Sequence, residues 1–508
     1  LPDTEPVGKR WAGMSDTLPK PLADWNEAPR VRAMNAAATP AKADYVLCWL
    51  QQALRGHDNP VIDAAVRLGN AAGLPVLVYH GLREDYPYAS DRLHRFILGA
   101  SRELARQCRD RGLRCIQYVD RAGKREKGLV YRLAERAAAV VVEDQPAFVA
   151  QWQAERVAEK SGRPVYAVNA ACTVPPAVLK DDIRATSAFR RRHEEVREQW
   201  YEGHDEEPER PAYDGPLPYE PDDLTTMDDA ALDALIARLA IDHDLPPAPR
   251  FPATRAAITD RLTRLAEEVL PRYAEARGDA SRDDGASELS PYLHFGMIGP
   301  REIIATVQAA DVSAEKRRKY LDELLTWREW FHYKARRMRV PESYARLPEY
   351  ARRELAEHAK DERPNRETLH ALVHGETDNE SWNACQKQFL LDGWMHNNVR
   401  MFWAKWLIQM TPSPEEGWAT ACYLNDRFSL DGRDPSTYGN IAWAFGDSAP
   451  GYGRRPIYGL VAYRTDASIR KQKNGPAWLA EQAARPAIKV HVPRKPPKDP
   501  YISEKVPI

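Results

Sequence analysis

The 508-residue sequence has no run of about 18 apolar residues, which speaks against a membrane-spanning helix. Its opening LPDTEPVGKRWAG holds no apolar stretch of the signal-peptide kind, so the expected location is cytoplasmic. There is no excess of charge of either sign: 73 basic side chains face 74 acidic ones, for a formal net charge of −1. A polyanion would find no global attraction, and any nucleic-acid surface must be local. CxxC pairs are absent too. The six cysteines, Cys48, Cys108, Cys115, Cys172, Cys385 and Cys422, are scattered without histidines at ligand spacing, so they read as reduced core residues and no metal is expected. GxSxG, the Walker lysine motif, HExxH and a tight GxGxxG are all missing, which removes the usual support for hydrolase, nucleotidase and simple dehydrogenase chemistry.

What is present begins with a globular balance, 43% hydrophobic and 29% charged, in a chain too long for one ordinary core. Two domains are expected. Short apolar runs at 44–49, 75–79, 113–118, 139–143 and 164–168 are rich in valine, isoleucine and aromatics and read as buried strands. Helical patterns at 60–72, 91–111 and 149–160 lie between them. This alternation predicts a doubly wound parallel sheet of Rossmann-like kind over 40–173, behind an extension at 1–39. Over 174–255 acidic residues and prolines accumulate, as in DEEPERPAYDGPLPYEPDD, and a long connection is expected. From 256 to 484 strand patterns vanish and helical periodicity takes over, notably at 256–276, 301–310, 317–339 and 392–410, so the second domain is all-α. The tail at 485–508, with prolines from Pro486 onward and little apolar content, is expected to be extended or mobile.

Tryptophan is concentrated: eight of the 14 (Trp327, Trp330, Trp382, Trp394, Trp403, Trp406, Trp418, Trp443) fall within 117 residues of the helical part. An aromatic core is the plain explanation. The same region also carries Asn383, His396, Asn397, Asn398, Arg400, Asn425, Asp426, Asp431, Arg433 and Asp434, and polar groups among indoles suit a buried polar cofactor ring. The segment SELSPYLHFG, 287–296, offers hydroxyls at a helix start, a cap or a phosphate site. Basic clusters at 316–319, at Arg336, Arg337 and Arg339, and at Arg454 and Arg455 are ordinary solvated faces or contacts to a polyanion.

The series LSPYLHFG, ELLTWRE, SWNACQ, RMFWAKW, YLNDRFSLDGRDP and GNIAW, in this order and spacing, resembles the photolyase and cryptochrome family, in particular the class II cyclobutane pyrimidine dimer photolyases. YVLCWLQQALR followed by PVLVYHGLREDYP resembles the opening of the family's antenna-type α/β domain. The resemblance, which covers about residues 40–480, implies a non-covalent FAD in the helical domain, active in its reduced form. It places the pyrophosphate around Ser287, the backbone of Leu289 and Ser290, with Tyr273 nearby, and counts Asn383 among the cofactor contacts. Arg400 and Asp431 match an ion pair against the flavin ring, and Asn425 matches the amide beside flavin N5. Glu323 matches the glutamate that hydrogen-bonds the dimer, and Trp327, Trp443 and Met401 match the pocket for the flipped-out lesion. At i and i+4, Glu323 and Trp327 share a helix face. Trp403 and Trp382 correspond to the inner members of the chain that reduces flavin through the protein.

Two departures stand out. Met410 occupies the outer position of that electron chain, leaving Trp406 or Trp394 as exit. The segment AFGDSAPGYGRRPIYGLVAY lacks the family's loop arginine and tryptophan; Tyr452 stands near the tryptophan position, Ala462 where a further arginine falls, and Arg454 and Arg455 are the compensating cations. The resemblance thus implies a monomeric, light-driven DNA repair enzyme acting on UV-damaged DNA, with room for an antenna chromophore of unknown identity in the first domain. The alternative is a cryptochrome-like photoreceptor or a photolyase for another photoproduct.

Overall fold

The computed structural model describes residues 18–179, 183–451 and 453–497. Its single sheet has six strands, β1 (Val31–Ala33), β2 (Tyr45–Trp49), β3 (Val76–Leu82), β4 (Arg114–Val119), β5 (Ala137–Glu143) and β6 (Val165–Val168), in the order β1-β6-β5-β2-β3-β4. All neighbours except β1 and β6 run parallel. The chain starts in the middle at β2, adds β3 and β4 on one side, then crosses to β5 and β6 on the other, which is the doubly wound pattern the alternation predicts. Helices cover both faces, so β2 and β5 are buried along their whole length and are apolar throughout except for Glu143 at the end of β5, whose carboxylate accepts from the N–H groups of Gln51, Gln52 and Ala53. Helix entries follow local chemistry: the Asn59 side chain caps Pro60–Ala72, and Ser90 caps Asp91–Asp110.

Three stretches do more than the sequence suggests. The stretch at 1–39 is not only an extension, because Val31–Ala33 joins the sheet as its antiparallel edge. Three residues are too few to show a period. The stretch at 174–255 is a strap packed on both halves: Phe189 is buried against Trp330 and Tyr333, Tyr213 lies edge-on to Tyr45, and Arg102 binds Asp229 of the helix Asp229–Ile236. The described part of the tail, to residue 497, is extended but docked, with Val490 buried, its N–H donating to His374 Nε2 at 3.3 Å and Arg427 donating to His491 O at 2.6 Å.

The second half is helical from Arg255 to Ala484 among the described residues. Two of its long helices contain π turns, Leu265–Val269 and Asp322–Arg328, a local form often found at functional sites. The helix expected from 392 begins only at Asn397, because Gly393 ends the helix Glu380–Asp392 in the left-handed region, with φ 63°. The halves meet closely. Gly296, with φ 61°, could not carry a side chain, since a Cβ would fall 2.5 Å from Gln52 O. The fully buried Arg92 of the first half donates to Phe428 O at 2.8 Å in the second.

The basic residues Arg336 and Arg339 serve this junction instead of a ligand. Arg336 pairs with Asp144 and Arg339 with Glu155, both from the α/β half, while Arg337 lies over the Tyr333 ring. No helix among the described residues is long and apolar enough to cross a membrane.

Candidate functional site

A cavity of about 700 Å³ opens among the helices, within the range of about 300–1,000 Å³ typical of ligand sites. One wall is the turn before the short helix Ser290–His294. Glu288 there takes a left-handed φ of 55°, an unusual conformation outside glycine, and is anchored by Arg250. Ser290 does not cap its helix. Its hydroxyl donates to Asp431 Oδ2 at 2.7 Å and accepts from the Trp394 indole at 3.2 Å. Ser287 Oγ receives the Tyr320 hydroxyl at 2.8 Å, and Tyr320 packs edge-on against Tyr273.

The floor is the ion pair Arg400 to Asp431, at 3.0 Å and about nine-tenths buried on both sides. Burial works against the ionised carboxyl, yet Arg400 and the hydroxyls of Ser429 and Ser290 hold Asp431 below the usual carboxylate range. Burial also lowers the His396 imidazole to about 4, so this cavity-lining ring is neutral near pH 7.

The opposite wall carries Glu323, Trp327, Met401 and Trp443. Glu323 and Trp327 both belong to the π turn Asp322–Arg328, and both face the cavity. Glu323 is bound by the guanidinium of Arg277, one helical turn beyond Tyr273. Tyr273, Ser287, Leu289, Ser290, Arg400 and Asp431 thus share one cavity with Glu323, Trp327, Met401 and Trp443.

Other residues singled out in the sequence lie elsewhere. Asn383 is occupied with the loop before its own helix, accepting from Thr377 N and Oγ1 and donating to Thr377 O, all within 2.9 Å. It does not line the cavity. Asn425 is fully buried behind the lining, with Nδ2 donating to Ala421 O at 2.8 Å and Oδ1 without a partner. Trp382 and Trp403 form a stack behind the cavity, ring centres 5.9 Å apart and planes 10° from parallel. Their N–H groups are satisfied by Trp403 O at 3.2 Å and Gln386 Oε1 at 2.8 Å. Trp406 lies against Phe402 and donates to Arg464 O, and Met410 is buried. Trp394 stands on the cavity wall beside Arg250. Arg454 is paired with Glu354 at 2.9 Å, Arg455 lies over Tyr463, and Tyr452 is outside the described residues.

The sequence reading missed Arg277, Tyr320, Arg328, Lys405 and Arg464, all of which line the cavity. Lys405 and Arg277 had a legible signal, each lying four residues after a residue already chosen, Met401 and Tyr273. Arg464 had none. Three buried polar atoms on the wall, Arg400 Nε, His294 Nε2 and Ser436 Oγ, find no protein partner, as a cavity built for a large polar ligand requires.

A second cavity of about 140 Å³ lies at the carboxyl ends of β2, β3 and β4, walled by Trp49, Tyr79 and Tyr118 and closed by Phe295 from the helical half. Doubly wound sheets bind ligands at that end.

Comparison with known proteins gives a consistent picture. The family model for DNA photolyase matches residues 46–212. The chain is 28% identical over 466 residues to the deoxyribodipyrimidine photo-lyase of Methanothermobacter thermautotrophicus, covering 88% of this chain and 96% of that one. It is 32% identical over 255 residues to the deoxyribodipyrimidine photo-lyase of Oryza sativa, covering 49% of this chain and 50% of that protein. In fold it is similar to a class III photolyase of Agrobacterium tumefaciens (TM-score 0.61, 18% identity, 87% of each chain). It is also similar to a photolyase of Sulfolobus tokodaii solved with two FAD molecules (TM-score 0.58, 18% identity, 86% of this chain and 89% of that one).

Proposed function

We propose that the chain belongs to the photolyase and cryptochrome family and is a deoxyribodipyrimidine photo-lyase that repairs cyclobutane pyrimidine dimers in UV-damaged DNA with non-covalent FAD. The observation that carries the reading is the convergence of Ser287, Ser290, Arg400 and Asp431 with Glu323, Trp327, Met401 and Trp443 on one cavity. FAD, bound reduced and excited by light, supplies the electron that splits the dimer and takes it back.

The residues divide by chemistry. Ser287, Ser290, Tyr273 and the Leu289 backbone provide hydroxyls and N–H groups for the phosphate part, and the three orphaned atoms on the wall suit the polar edges of a cofactor. The Arg400 to Asp431 pair fixes the floor and excludes water. A pair this buried is a doubtful source of stability alone, so its retention points to binding. The Asn425 amide, buried with an unused oxygen, is an acceptor held ready behind that floor.

On the substrate side, Trp327 and Trp443 offer indole faces for an extruded pyrimidine dimer, and Met401 an adaptable apolar contact. Glu323 is the acid–base group of this wall. Its carboxyl can hold a proton against base carbonyls as charge develops there, provided Arg277 shares or releases it. The parallel Trp403 and Trp382 rings are placed to relay electrons from an external thiol, which is oxidised, to a bound oxidised flavin, which would be reduced. The second cavity, at the end of β2 to β4, is the place we assign to an antenna chromophore.

The test is to illuminate the reduced protein with an oligonucleotide containing a thymine dimer and to follow recovery of thymine absorbance. Light-dependent recovery supports the repair reading. Full flavin content without recovery, in both single-stranded and duplex DNA, would replace it with the photoreceptor reading.

A further inference from the structure

Lys405 is a buried lysine on the wall of the cavity, only 2% exposed, and among the described residues no carboxylate pairs with it. Lysine is almost never buried without such a partner, because removing its charge from water is costly. Its ammonium has three donors. Two are accounted for by Ala444 O at 3.0 Å and Ala462 O at 2.6 Å. It also lies over the Trp443 ring, 5.2 Å from the centroid.

These contacts come from three different places. Ala444 closes the helix Pro435–Ala444, whose C-terminal carbonyls carry partial negative charge that favours a cation. Ala462 lies where the chain returns from the loop after that helix. Lys405 itself follows Met401 by one turn of the helix Asn397–Met410 and so faces the same cavity. Its backbone carbonyl is tied as well, accepting the Tyr458 hydroxyl at 2.9 Å from within the same loop.

We propose that Lys405 is a positioning residue for the dimer pocket: its ammonium fixes the Trp443 indole and the returning loop in register with Met401. The proposal rests on the reading of Trp443 as a stacking platform. Neutralising the amine removes the attraction to the helix end and to the ring face, and the platform loosens. Among the described residues, the charged group that faces Lys405 from a packed element is Arg464. Burial first, and Arg464 second, lower the Lys405 amine to about 7, so the charge is present below neutrality and lost above it.

The experiment labels the protein with 5-fluorotryptophan, assigns the Trp443 fluorine resonance through Trp443→Phe, and follows it across the neutral pH range without DNA. The resonance should titrate with a midpoint near 7 in the wild type and should not titrate in Lys405→Met or Lys405→Arg. Affinity for dimer-containing oligonucleotide at pH 6.5, measured in parallel, should fall roughly tenfold in Lys405→Met, the scale of one desolvated cation–ring contact, and be largely kept in Lys405→Arg. A Trp443 resonance indifferent to pH in the wild type overturns the proposal. So does wild-type affinity in a folded Lys405→Met protein. If the wild type binds no dimer, the pocket reading fails, and the fluorine titration still decides the link between Lys405 and Trp443 by itself.

Discussion

Five tryptophans of the helical half form two groups that differ in surroundings, not in kind. Trp327, Trp394 and Trp443 line the cavity, and each has a cation over its ring, from Arg190, Arg250 and Lys405 at 5.2–6.0 Å. Trp382 and Trp403 are fully buried, stacked on each other, and among the described residues no cation contact falls on either ring. A nearby positive charge disfavours removal of an electron from an indole, so the first group is suited to hold a ligand and the second to pass an electron. Position in the sequence does not separate them: Trp394 and Trp403 are nine residues apart.

The sharpest way to break this division is Trp403→Phe. Light-driven reduction of oxidised flavin with a thiol donor should be lost, by at least about tenfold if the stack is the route, since each 1.4 kcal/mol of barrier is a factor of ten. Reduction at the wild-type rate would mean that cavity indoles donate after all. Next in size is the floor. Asp431→Ala leaves Arg400 buried without its partner, a change typically worth about 3–5 kcal/mol, so purified protein should carry little FAD. Flavin absorbance per chain checks this, and full occupancy would displace the cofactor from this floor.

A smaller effect is expected from Trp443→Ala, which should weaken binding of dimer-containing DNA by about 1–3 kcal/mol while sparing undamaged DNA, as measured by titration in the dark. Equal losses on both would make Trp443 a structural residue. Smallest is the exit. Trp406→Phe should slow photoreduction and Met410→Trp leave it equal or faster; an unchanged rate in Trp406→Phe would move the exit elsewhere.

Much of this was legible in the sequence for definite reasons. A strand buried on both faces is apolar over most of its length, so β2, β3 and β5 stand out as runs despite His80 and Glu143 near the ends of the last two, whereas the three residues of β1 owe their strand state to pairing with β6. The motif residues on the cavity were legible because LSPYLHFG, ELLTWRE and RMFWAKW each carry groups that only a site needs. Asn383 sat in such a motif too, but which way an amide points depends on the loop it meets, here at Thr377. The cations Arg336 and Arg339 looked like nucleic-acid contacts because the sequence does not show that Asp144 and Glu155 lie opposite. Lys405 was passed over for the opposite reason, a charge among apolar neighbours whose two carbonyl partners lie 39 and 57 residues away.

The central claim is that one cavity joins a cofactor floor to a lesion wall, and Glu323→Gln tests it most directly. Glutamine keeps the shape but cannot share a proton with the opening dimer, and losing one preorganised group aimed at developing charge typically costs a few kcal/mol. Under illumination with dimer oligonucleotide, recovery of thymine absorbance should fall by roughly tenfold or more, while flavin content and Trp403-dependent photoreduction stay at wild-type levels. Undiminished repair by Glu323→Gln, or loss of flavin together with repair, would contradict the division of this cavity into two walls.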